Sequence, residues 1–240
     1  MKILDFSTRA EMDDAAASYI STLVKNKPDA VIALPTGETP LGLYRNLAAR
    51  QREGAINCQS ARFFNLDEFE GKGLADEGSY AGFLMRHAFE PLHIAPDHLR
   101  LLQGDALDVE AECRAYDAAI DIAGGLDLAV LGLGRNGHVA FNEPGDDWRL
   151  GTHRVALTQT TRGAQSGIYQ ASADVPNYGL TMGVATVLAA RKLLLLVTGQ
   201  GKEDALNALI SGRPDPDRSV TALVGHPDLT VLRDLSSFGS

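Results

Sequence analysis

Short apolar runs recur along this chain, each of strand length and each ending in a loop of glycine and polar residues. DAVIAL (29–34) leads into PTGET and the amphipathic PLGLYRNLAARQRE, and ARFFNL (61–66) into an acidic loop and SYAGFLMRHAF. LDLAVLGL (126–133) runs into LGLGRNGHVAFNEPG (131–145), KLLLLVTG (192–199) into KEDALNALISG, and TVLRD follows near the C-terminus. Strands that are apolar throughout need cover on both faces, and their alternation with helices predicts a parallel sheet between two helical layers. The expected fold class is therefore α/β: one domain over 1–240, an open, mostly parallel Rossmann-like sheet with helices on both faces. Helical patterns also cover about 8–26 and 108–124, and 175–190 reads as helical at least in its second half. Ligands of such sheets sit at the carboxyl ends of the strands, where the strand order reverses. All four unusual loops follow a strand, so all four can line one crevice.

At 240 residues, one α/β domain would bury roughly 70–75% of its unfolded surface. The only cysteines, Cys58 and Cys113, have neither a disulfide framework nor metal-ligand spacing, and a reducing cytoplasm suits them. The opening MKILDFSTRAEMDD lacks an apolar core of signal-peptide length, and LLLLV (193–197) is far short of a membrane span. A net charge of −9 without any basic block argues against nucleic acid as a partner. An anionic small molecule remains compatible, because local cations and backbone N–H groups make a positive pocket on an acidic protein.

Each loop has a plain reading beside a chemical one. In LPTGETP (34–40), Gly37 permits close backbone approach, and Thr39–Pro40 reads as an N-cap followed by proline at the first helical position. Such an end seats a phosphate or carboxylate, or is simply a capped turn. In NLDEFEG (65–71), Asp67 and Glu68 are adjacent, so at most one faces the crevice as a general base; two solvated acids is the alternative. In the 131–145 stretch, His138 titrates near neutrality and could move a proton, with Asn136 and Glu143 near it in sequence to orient the ring. Metal is not expected there, because the HxxxxE spacing is not helical and no second histidine is close. In VTGQGKEDAL (197–206), Lys202 opens a helix and could meet an anion, or pair with Glu203 or Asp204. No nucleophile elbow is present, and the remaining histidines, at 87, 93, 98, 153 and 226, read as structural or surface.

Together LPTGETP, FFNLDEF, LGLGRNGHVAFNEPG and TGQGK, in this order, resemble the glucosamine-6-phosphate deaminase (isomerase) family over roughly 10–232. The pairing of GHxxFNEP with NLDEF carries the specificity, since 6-phosphogluconolactonases share the Gly-rich loop and the GH element. The resemblance implies conversion of an amino-sugar 6-phosphate and water to a ketose 6-phosphate and ammonia, with no metal or organic cofactor. It implies that His138 opens the pyranose ring, held by Glu143 and Asn136, and that Asp67 carries the C2 proton to C1. Thr36, Gly37, Thr39 and Lys202 would bind the phosphate.

This sequence departs from the family pattern at one phosphate contact. Many members carry an arginine where TTRGAQSGIYQ (160–170) has Gly167, which leaves Arg162, five residues earlier, as a candidate. Val155 and Ala156 stand where allosteric members are polar, so strong activation by N-acetylglucosamine 6-phosphate is not expected. Galactosamine 6-phosphate is the alternative substrate, lactone hydrolysis and a silent sugar-phosphate sensor the alternative functions. The oligomeric state, monomer or homo-oligomer, stays open. SADVPNYG (172–179) is the candidate mobile cover.

Overall fold

The computed structural model describes residues 1–164 and 175–238. In chain order the elements are β1 (Lys2–Phe6), α1 (Arg9–Asn26), β2 (Val31–Leu34), α2 (Leu41–Arg52), β3 (Arg62–Asn65) and β4 (Asp67–Phe69). There follow α3 (Tyr80–Leu84), continued by a π turn (Met85–Phe89), β5 (Leu99–Arg100), α4 (Val109–Ile122), β6 (Leu128–Gly132), β7 (His153–Ala156) and α5 (Gln159–Ala164). The last are β8 (Tyr178–Thr181), α6 (Val184–Leu188), β9 (Leu193–Val197), α7 (Glu203–Ile210) and β10 (Leu229–Asp234).

Seven strands form a sheet in the order β1-β10-β9-β6-β2-β3-β5, with every pairing parallel. The period of two sorts their side chains onto opposite faces. Val31 and Ala33 of β2, Leu131 of β6 and Leu193 and Leu195 of β9 pack with Tyr116 and Ile120 of α4 and Leu206 and Leu209 of α7. Ile32 and Leu34, Val130, and Leu194 and Leu196 pack on the other face with Met12, Ala16 and Ile20 of α1 and Leu43 and Leu47 of α2. Each fully buried leucine of β9 contributes roughly 1.5–3 kcal/mol. The helices cover both faces, as the continuous apolar runs require. Thr8 opens α1 with a capping box: its hydroxyl accepts from the Glu11 amide, and the Glu11 carboxylate accepts from the Thr8 amide.

From β2 the chain moves to β3 on one side, and from β6 to β9 on the other, so the strand order reverses between β2 and β6. The loops after β2, β3, β6 and β9 share the carboxyl edge at this switch point.

A second, antiparallel sheet, β4-β8-β7, stands at that edge. Residues 67–69, expected as loop, pair there, and so does the first half of 175–190: YGLT forms the strand β8, and only Val184–Leu188 is helical. Pairing on both sides, with β4 and with β7, outweighs the helical pattern of 175–190. Phe69, Tyr80, Phe141, Val155, Leu157 and Val175 fill the space beneath, with Phe69 and Phe141 ring centres 5.2 Å apart. Val155 of β7 is thus a core residue, while Ala156 points to solvent. Of the proposed cover 172–179, residues 172–174 lie outside the described residues.

Gly183, between β8 and α6, is pressed against the backbone: a Cβ there would overlap the carbonyl oxygens of Leu150 and Gly151. Gly183→Ala is expected to lower stability by about 1–3 kcal/mol, measured by urea unfolding. An unchanged midpoint would show that the two segments separate freely.

Candidate active site

Two of the four loops, those after β2 and β9, are tied together at the carboxyl edge by Arg9, from the first turn of α1. Its Nη2 donates to the Glu38 and Thr39 carbonyls after β2, and its Nη1 to the Thr198 hydroxyl after β9 (3.3 Å). Its Nε pairs with Asp13 at 2.9 Å, which fixes the guanidinium from behind. Thr36, Gly37 and Thr39 lie on this strapped loop, with Gly37 at φ 91, open to glycine and strained for other residues. Thr39 is not an N-cap: the first intrahelical bond of α2 runs from the Tyr44 amide to the Pro40 carbonyl (3.0 Å), which puts Pro40 at the cap. Arg9 instead draws the Thr39 carbonyl toward itself.

β3 ends in a turn shaped by Asn65, which is fully buried. Its amide donates to the Asp67 carbonyl (2.8 Å), its Oδ1 accepts from the Leu102 amide (2.9 Å), and the Tyr116 hydroxyl donates to its carbonyl (2.6 Å). This turn delivers Asp67 and Glu68 in opposite directions. Glu68 is consumed: its carboxylate accepts from the amides of Phe69, Tyr80 and Ala81 and from the Ser79 hydroxyl, at 2.8–3.0 Å, and caps α3. Asp67 is not consumed. Its Oδ1 is buried without a hydrogen-bond partner among the described residues, and burial first, then the Glu68 charge, push its carboxyl well above the usual range. Neither acid is the solvated loop residue of the plain alternative.

The loop after β6 folds back on itself, the Gly134 amide donating to the His138 carbonyl (2.9 Å), and Ala140 takes a left-handed φ of 51. The His138 ring lies against Gly134, where any Cβ would strike it. Asn136 joins two partners: its Oδ1 accepts from the His138 amide (3.2 Å) and its Nδ2 donates to Glu143 Oε2 (3.3 Å). Glu143 is buried and accepts from the Thr158 amide (3.0 Å) and hydroxyl (3.2 Å). His138 Nδ1 meets the Thr161 hydroxyl at 3.4 Å, and Thr161 meets Thr158 at 3.2 Å. Asn136, His138 and Glu143 are thus one cluster, but hydroxyls complete it where sequence pointed only to a carboxylate and an amide. Thr158 and Thr161 sit 15 and 18 positions after Glu143, with no local motif to mark them. Burial pushes the imidazole below its usual pKa, Glu143 pulls it up and Lys202 pushes it down again. The net effect is downward, so the ring is neutral and able to accept a proton near pH 7.

Lys202 stands at the N-cap of α7, largely buried, and has no carboxylate partner among the described residues; neither Glu203 nor Asp204 pairs with it. Burial, Arg135 and Arg9 lower its pKa to about 8. Arg162, in α5, directs Nε and Nη2 at the Val175 carbonyl (3.3 and 3.1 Å), and Gly167 lies outside the described residues. His226 and His98 bond the carbonyls of Ala190 and Ala61, as structural histidines do. Among the described residues no group of three or more His, Cys, Asp or Glu is placed to hold a metal ion. Nor is any described helix long and apolar enough to cross a membrane.

The family model described as glucosamine-6-phosphate isomerases/6-phosphogluconolactonase matches residues 7–231. A glucosamine-6-phosphate deaminase of Lysinibacillus sphaericus is 37% identical over 97% of this chain and 98% of its own. Glucosamine-6-phosphate deaminase 1 of Bacillus subtilis is 38% identical over 98% of this chain and 97% of its own. The solved structure of a monomeric glucosamine-6-phosphate deaminase superposes with a TM-score of 0.96 at 37% identity, covering 99% of this chain and 98% of that one. A 6-phosphogluconolactonase from Trypanosoma cruzi, at TM-score 0.78 and 20% identity over 97% of this chain and 94% of its own, shares the fold.

A carboxyl with a raised folded-state pKa holds its proton more tightly in the native than in the unfolded chain. Asp67 therefore supports folding at low pH and opposes it as pH climbs above its ordinary value of 3.8 toward its folded pKa. Asp67→Asn is expected to raise the urea midpoint at pH 8 and to lose that gain as pH approaches 4. A gap that stays constant from pH 4 to 8 would mean that Asp67 titrates normally.

Proposed function

This chain belongs to the glucosamine-6-phosphate isomerase/6-phosphogluconolactonase family, and we propose that it is a deaminating isomerase. It converts glucosamine 6-phosphate and water to fructose 6-phosphate and ammonia, with residues 1–240 acting as one catalytic unit in the cytoplasm. The observation that carries this is the separation of two proton-transfer stations: an unconsumed buried carboxyl, Asp67, and a neutral imidazole set in the Asn136–Glu143 cluster.

The chemistry requires two stations because the C2 proton becomes acidic only after ring opening exposes the C1 carbonyl. His138 moves the proton between the O1 hydroxyl and the ring oxygen. Glu143 and Asn136 hold the loop and the field that keep His138 ready for it. Asp67 takes the C2 proton, giving an enol-type intermediate, and returns it to C1. Water then replaces nitrogen at C2 and ammonia leaves. Thr36, Gly37, Thr39 and Lys202 bind the phosphate, so that remote binding energy orients the reacting end. Arg162, whose guanidinium donates to the Val175 carbonyl, is the further candidate phosphate contact, in place of the arginine for which this chain has Gly167.

Lactone hydrolysis needs no C2 base, and a carboxyl held buried without a partner is an expense such an enzyme would have no use for. The deciding assay is ammonia release from cofactor-free protein given glucosamine 6-phosphate and galactosamine 6-phosphate in parallel. Fructose 6-phosphate equimolar with ammonia is expected. Release from the galacto sugar alone would move the assignment to that substrate, and none from either would overturn deamination. Asp67→Asn is expected to slow exchange of the substrate C2 proton with solvent by about 10²–10⁴-fold, followed by NMR in D2O. Undiminished exchange would remove Asp67 from the mechanism.

A further inference from the structure

We infer that Arg135 is the second cation of the phosphate site, placed to bind the 6-phosphate of the substrate together with Lys202. The inference rests on the sugar-phosphate reading above and names a residue that neither the loop motifs nor that reading assigns.

Arg135 leaves the loop after β6 and reaches the glycine turn after β9. Its Cδ and Nε lie 3.8 and 3.9 Å from where a Cβ of Gly201 would sit. On the same turn, the Lys202 Cε lies 3.9 Å from the corresponding position of Gly199. Gly199 and Gly201 both take positive φ, 92 and 77, so the turn that carries Lys202 is bare backbone where the guanidinium crosses it. Two cations from neighbouring strands thus lean on one short turn. Neither has a carboxylate partner among the described residues.

The other arginines nearby are occupied. Arg9 is engaged by Asp13, Thr198 and two loop carbonyls, and these bonds hold the loops in place. Arg162 is engaged with the Val175 carbonyl, and residue 167 is a glycine without charge. Arg135 is exposed, and among the described residues its guanidinium has no ion-pair partner. Burial first, then the like charges of Arg135 and Arg9, lower the pKa of Lys202, so part of that lowering is repulsion between the two cations of this turn. A dianion at this corner removes the repulsion, and the planar guanidinium fork matches the oxygens of a phosphate.

The test uses the whole enzyme and two probes, inorganic phosphate by calorimetry and glucosamine 6-phosphate by steady-state kinetics. Arg135→Ala is expected to weaken phosphate binding and raise KM by about 10–100-fold each, with a smaller effect on kcat. Arg135→Lys should recover part of the loss. In the wild type, kcat/KM should fall as pH rises past about 8, where Lys202 loses its proton, and in Arg135→Ala that break should move upward. Unchanged phosphate affinity and KM in Arg135→Ala would overturn the inference, as would wild-type protein that does not bind phosphate. A loss seen with Arg162→Ala and not with Arg135→Ala would also overturn it. Calorimetry needs no turnover, so the two readings can fail separately. Arg135-dependent phosphate binding without ammonia release would sink the deaminase assignment alone, and ammonia release with Arg135-independent binding would sink this one alone.

Discussion

Asp67 keeps a carboxyl oxygen buried and without a hydrogen bond, and much of the carboxyl edge is built so that this can persist. An unsatisfied buried polar group costs about 1–3 kcal/mol, so left to itself the chain would turn Asp67 outward or give it a donor. Three arrangements prevent that. Asn65 and Tyr116 lock the turn that leads into β4. β4 is then pinned by β8. The Tyr80 and Ala81 amides and the Ser79 hydroxyl at the start of α3 are taken by Glu68. One acid of the pair stabilises the fold, and its neighbour is thereby left available for chemistry.

The two polar corners divide the electrical work. At the Asn136–His138–Glu143 cluster a buried carboxylate partly offsets the burial that would strip His138 of its basicity. At the Lys202 corner positive charge gathers without compensation. A substrate that is anionic at one end and exchanges protons at the other meets both needs. The strap from Arg9 ties the loop after β2 to the loop that carries Lys202, and it is itself paired with Asp13, so it orders that corner without offering the anion a free charge.

The parallel sheet was legible because β2, β6 and β9 are apolar at every position, a pattern that only burial on both faces explains. The convergence of the loops followed from their common place after strands. The antiparallel sheet was not legible: DEF is short and acidic, and YGLT stands in a run whose later residues do form a helix. In the site, glycines and titratable groups drew attention, whereas Asn65, Thr158 and Thr161 did not. Their partners lie up to 51 residues away, so no local pattern marks them. Thr39 misled for a similar reason, since its carbonyl answers to Arg9, which is 30 residues distant.

β1 occupies the edge of the sheet and pairs only with β10, joining Lys2–Phe6 to Thr230–Asp234. Lys2–Phe6 therefore finds its place only with a strand 228 positions later in the chain. Until β10 is synthesised, Lys2–Phe6 has no partner in this sheet, and α1, with Arg9 in its first turn, is tethered to a loose end. Closure of the loops by Arg9 also awaits Thr198, 189 positions further along the chain. Parallel pairings this distant in sequence are slow to form, because the chain between them must be ordered first. Assembly of the anion corner thus depends on segments far apart in the chain, and a nascent chain cut short before residue 198 would lack it.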